Sequence, residues 1–82
     1  MSRAAVERKL RDVNDDLRRA REELAVLDEQ AAHFLLETDP GDRDAERHAE
    51  VHVRSRDRLA VRVQELERSR DDLLDRLVLE SR

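Results

Sequence analysis

The chain has 82 residues, of which 17 are basic and 21 acidic, for a formal net charge of −4; it has one aromatic residue and no cysteine. No disulfide framework can form. A single Phe, with no Trp or Tyr, cannot fill the interior of an ordinary globular enzyme.

The first half reads as one long helix, about residues 3–37. Apolar residues fall at Val6, Leu10, Val13, Leu17, Ala20, Leu24, Leu27, Ala31 and Phe34, with steps of four and three in strict alternation. That is a heptad seam with no slip. Ser2 is placed to cap its start. The only proline and the only glycine stand together at Pro40-Gly41. A breaker used once, near the midpoint, predicts one turn, about residues 38–39. Asp39 suits an N-cap, Pro40 the first helical position, and Asp42 a side chain reaching back to the cap.

The second half predicts a helix over about residues 40–80. Its seam is Ala45, Ala49, His52, Arg56, Leu59, Val63, Leu66, Arg70, Leu73 and Leu77, weakened by three polar members. Antiparallel partners around one turn should have residue numbers with a constant sum. Phe34 with Ala45 and Val6 with Leu73 give 79; Leu24 with Arg56 and Leu17 with Val63 give 80. The centre of symmetry falls on the breaker, so period and turn chemistry agree. The expected fold is an all-α, antiparallel two-helix coiled-coil hairpin, a single domain roughly 50 Å long.

Charge favours the same register. Arg3, Arg8, Lys9 and Arg11 lie opposite Glu65, Glu67, Asp71, Asp72 and Asp75, whereas Glu22, Glu23, Asp28 and Glu29 lie opposite Arg47, Arg54, Arg56 and Arg58. Each exposed pair is worth only about 0.2–1 kcal/mol, but the set selects against parallel pairing. Arg56 and Arg70 in the seam are expected to pair with Glu23 and Glu7.

A two-helix rod has one thin seam, and several apolar residues are left beside it. Val53, Leu74, Leu77, Val78 and Leu79 are the expected partner-binding residues. They imply either a homodimer, as a four-helix bundle, or a larger protein partner. No 18-residue apolar run crosses a membrane, and Met1 to Glu7 lack a signal-peptide segment, so a cytoplasmic protein is expected. An acidic chain with no aromatic stacking platform is not expected to bind nucleic acid directly. No glycine loop, cysteine nucleophile or pocket-forming layers suggest catalysis, and no cofactor is expected.

The turn gathers acids. Glu37, Asp39, Asp42, Asp44 and Glu46, with Arg43 as the only base among them, put the whole net charge at the tip. Acids at a helix N-terminus serve capping and the helix dipole, which leaves Glu37 unexplained. The stretch Gly41-Asp42-Arg43-Asp44-Ala45-Glu46-Arg47-His48-Ala49-Glu50 resembles the hairpin tip of the Gre transcript-cleavage factors. The resemblance implies an acidic tip inserted into the secondary channel of RNA polymerase, with Asp42 and Glu46 as the tip acids holding magnesium. It covers about ten residues; the family's Tyr is Arg47 here, and its second domain has no counterpart. Ser55 and Arg58 also match a fragment of the motif of cyclic-di-GMP-binding anti-sigma hairpins, and Arg54-Ser55-Arg56-Asp57 recurs as Arg68-Ser69-Arg70-Asp71. That implies, as a third reading, a hairpin responsive to a nucleotide second messenger. His48 and His52 have the spacing of a metal pair but lack an evident third ligand.

Overall fold

The computed structural model describes residues 2–37, 39 and 41–81. They form two helices, α1 (Arg3–Glu37) and α2 (Arg43–Glu80), folded back on each other as an antiparallel hairpin. The Cα envelope measures 61 × 14 × 14 Å. No described helix is long and apolar enough to cross a membrane.

Local chemistry sets the ends of the helices. At the start of α1 the Ser2 hydroxyl accepts from the Ala5 amide at 3.2 Å, and the Ser2 carbonyl accepts from Val6 at 3.0 Å. At the end of α2 the Ser81 hydroxyl donates to the Leu77 carbonyl at 2.8 Å. The start of α2 differs from the sequence expectation. The cap is Asp42, not Asp39, and the helix begins at residue 43 rather than 40. Gly41 is the physical cause. Its φ of +92° lies in the left-handed region, which a right-handed helix cannot include. The next residue, Asp42, is extended (φ −74°, ψ 113°), and its carboxylate accepts from the amides of Asp44 at 3.0 Å and Ala45 at 3.4 Å. Asp39 instead accepts the Asp42 amide through its carbonyl at 3.4 Å, closing the turn. The proposed place of Pro40 lies outside the described residues.

The seam is as the period requires. Every α1 seam residue is buried or half-buried, and in α2 only Arg56 is exposed. Packing is uneven along it. Among the described residues the buried ones are Val6, Leu17, Ala20, Val63, Leu66 and Leu73, all in the half that carries the chain ends. Leu17, Ala20, Val63 and Leu66 form one cluster, with Val13, Leu24 and Leu59 against it. Each such Leu or Val contributes about 1.5–3 kcal/mol. Toward the turn the seam residues are small or polar: Ala31, Ala45, Ala49, His52 and Arg56. None of these is buried, and all but Ala45 border an open cleft of about 270 Å³.

Candidate functional site: the tip, the cleft and the two flanks

The tip acids are exposed: Glu37, Asp39, Asp42, Asp44 and Glu46 all face solvent. One of them has a structural task, since the Asp42 carboxylate is spent on the first turn of α2. Asp44 and Glu46 lie in that same first turn, where acids oppose the positive end of the helix dipole. Among the described residues no group of three or more His, Cys, Asp or Glu side chains is arranged to hold a metal ion.

The two α2 histidines are directed elsewhere. His48 shares its Nδ1–H with the Asp44 carbonyl at 3.2 Å, and its ring stacks on Phe34 with centroids 6.1 Å apart. His52 is half-buried and donates Nε2–H to the Leu27 carbonyl at 2.7 Å, across the seam. His52 thus brings a polar group into the seam with a partner for it, which is the condition for tolerating it there. Together with Ala31, Phe34, Leu35, Ala49 and Val53, these rings line the cleft below the turn.

The seam arginines find other partners than expected. Arg56 pairs with Asp28, not Glu23. That carboxylate raises the guanidinium pKa above its ordinary value, by hydrogen bonding first and by charge second. Arg70 pairs with its neighbour Asp71 at 3.2 Å, whereas Glu7 is taken by Arg3, also at 3.2 Å. Arg56 swings outward past the seam, so it reaches a flanking position one turn nearer the tip. Of the many opposite charges facing each other, Arg21–Glu67 at 3.3 Å and Arg56–Asp28 are the cross-helix ion pairs among the described residues. Register is therefore carried mainly by the apolar seam.

The informative feature is the difference between the two flanks of that seam. Write the seam as a and d positions of a heptad; then e positions of both helices border it on one side and g positions on the other. The g flank is Lys9, Asp16, Glu23 and Gln30 of α1, with His48, Ser55, Arg62, Ser69 and Arg76 of α2: every one polar. The e flank holds Leu35 of α1 and Val53, Ala60 and Leu74 of α2, alongside Glu7, Asn14, Arg21, Asp28, Glu46 and Glu67. Two of the grooves follow this division, whereas the cleft near the turn is lined from both flanks, by Gln30 and His48 as well as Leu35 and Val53. Lys9, Ser69 and Arg76 line one together, and Asn14, Arg18, Arg21 and Ala25 line another on the opposite side. Leu35 and Val53 meet at the cleft.

The partner-binding residues expected from sequence are not all alike. Val53, Leu74, Val78 and Leu79 are exposed at 55, 41, 58 and 62%. Leu77 is half-buried in the seam. Val78 lies one turn beyond Leu74 and extends the e flank; Leu79 faces away from it. Sequence reasoning passed over Leu35, which is 73% exposed on the same flank. Its signal was its place immediately after the seam residue Phe34, the same relation that Val53 has to His52.

Comparison with protein-family models, curated proteins and solved structures finds no match. The likeness of residues 41–50 to the transcript-cleavage factors thus rests on those residues alone.

Proposed function

We propose that this chain is a non-enzymatic interaction module, a small coiled-coil adaptor or regulator that presents one flank of its hairpin to a protein partner. The observation that carries this reading is the asymmetry just described. Leu35, Val53, Leu74 and Val78 are exposed apolar side chains on one flank, whereas the residues bordering the seam on the other flank are all polar and Val26, Val51 and Leu79 lie farther out; an apolar edge beside the seam suits a protein contact. Packing points the same way. The hairpin fully buries few side chains, and a partner on the apolar flank adds burial that the thin seam lacks.

A transcription modulator that inserts its acidic tip into RNA polymerase is the alternative. What favours it is the exposure of Glu37, Asp39, Asp44 and Glu46 beyond the needs of the single cap at Asp42. A pulldown with two double variants separates the readings. Leu74→Glu/Val78→Glu is expected to abolish capture, while Asp42→Asn/Glu46→Gln leaves it intact; Asn is chosen at residue 42 because it caps as well as Asp. The reverse outcome, with capture of polymerase lost only in the tip variant, supports the transcription reading and overturns the flank.

A further inference from the structure

We infer that α2 carries a second contact site, for an acidic helix of a protein partner, formed by Arg47, Val51, Arg54, Arg58, Val61 and Arg62. These residues are distinct from the apolar flank, and the contact goes beyond the reading above. They occupy f, c and g positions, a continuous stripe on the side of α2 away from the e flank. Arg47, Arg54 and Arg58 stand at the height of α1 acids, yet the structure leaves them unspent. All four arginines are exposed, and among the described residues none of their guanidinium groups makes an ion pair or a hydrogen bond. From residue 47 to residue 62 the f, c and g positions hold no carboxylate; His48 and Ser55 complete them. Val51 and Val61 lie within the stripe, 63 and 52% exposed.

The borders of the stripe decide which anion fits. Asp44 and Glu65 end it along the helix, Glu50 and Asp57 follow it at b positions, and Asp16 and Glu23 of α1 border it across the g flank. From Arg47 to Arg62 it is about 22 Å long. A nucleic-acid duplex presents one charge per ~1.7 Å of axis, or about 13 over that length. Four arginines neutralise few of those, and the bordering acids repel the rest. An anionic membrane surface is broad and flat, so it too comes up against both rows of acids. A single helix, about 10–12 Å across, lies along the stripe between them. The arginines follow one another at steps of seven, four and four residues. Carboxylates at the same steps fall on one face of a partner helix and meet them as guanidinium–carboxylate forks. Apolar side chains between those carboxylates cover Val51 and Val61, which a phosphate backbone cannot do.

Fluorescence anisotropy of a labelled synthetic peptide titrated with the full chain provides the test. The peptide is a helix former with glutamates at i, i+7, i+11 and i+15 and valines between them. Wild type is expected to saturate below about 1 mM. Arg54→Glu/Arg58→Glu weakens binding about tenfold or more, and lysines in place of the two facing glutamates restore it to within about threefold. Arg54→Gln/Arg58→Gln, which keeps good helix formers at both positions, weakens it about fivefold. Arg8→Glu/Arg11→Glu makes the same change in net charge at exposed positions of α1 and leaves binding within about twofold. Circular dichroism checks that each variant remains helical. No saturable binding, a loss as large in the α1 variant as in the α2 variant, or tighter binding of duplex DNA or of phosphatidylserine vesicles than of the peptide overturns the proposal. The apolar flank is read separately, by the pulldown with Leu74→Glu/Val78→Glu.

Discussion

The two halves of this hairpin share one heptad rhythm and differ in what they put into it. In the half with the chain ends, Leu, Val and Ala at the seam interdigitate, and Val6, Leu17, Ala20, Val63, Leu66 and Leu73 are lost from water. In the half with the turn, the same positions hold Ala31, Ala45, Ala49, His52 and Arg56, and none of them is buried. Periodicity fixes which residues face the partner helix; side-chain volume fixes whether that contact is a core. The turn half is therefore held mainly by its connection, by the Asp42 cap and by single polar contacts such as His52 to the Leu27 carbonyl.

Equivalent truncations in the two halves should separate them most clearly. Leu17→Ala is expected to cost about 2–4 kcal/mol in urea unfolding, because Leu17 is 3% exposed within the main cluster. Leu27→Ala, at a half-buried seam position beside the cleft, should cost about half as much. Equal losses would mean the turn half is packed as tightly as the other. Filling is the converse. Ala49→Leu places a larger side chain into the cleft and should stabilise the hairpin by about 1 kcal/mol, read as a rise in Tm. The same change at buried Ala20 should destabilise by overpacking.

The turn itself predicts a smaller effect. Asp42→Ala removes the acceptor for two amides and should cost about 1 kcal/mol, whereas Asp39→Ala should cost little, since Asp39 contributes a backbone carbonyl. Gly41→Ala should also cost about 1 kcal/mol. An added Cβ meets nothing within 4 Å, so the penalty is the left-handed backbone alone.

Much of this molecule was legible before its structure. The steps of four and three from Val6 to Phe34 named the buried face of α1 residue by residue, and the single Pro-Gly site named the turn. What escaped had local causes. Pro40 suggested a helix start, but Gly41 after it takes a conformation no right-handed helix includes, and the cap moved to Asp42. The partners of Arg56 and Arg70 escaped because long side chains reach whichever acid lies nearest, and Asp28 and Asp71 lie nearer than Glu23 and Glu7. The apolar flank was half visible. Val53, Leu74 and Val78 stood out as excess apolar residues, but Leu35 joins them only once each helix's flanks are assigned. Volume at the turn end was not read at all, because Ala satisfies a heptad pattern as well as Leu while filling far less space.

Native-state hydrogen exchange tests the contrast between the two halves most directly. Amides of residues 13–20 and 59–70 are expected to exchange only by global unfolding, while those of residues 27–34 and 48–56 exchange through a partial opening that costs several-fold less free energy. Protection that is uniform along both helices, or greatest beside the turn, would contradict a hairpin whose core lies in one half.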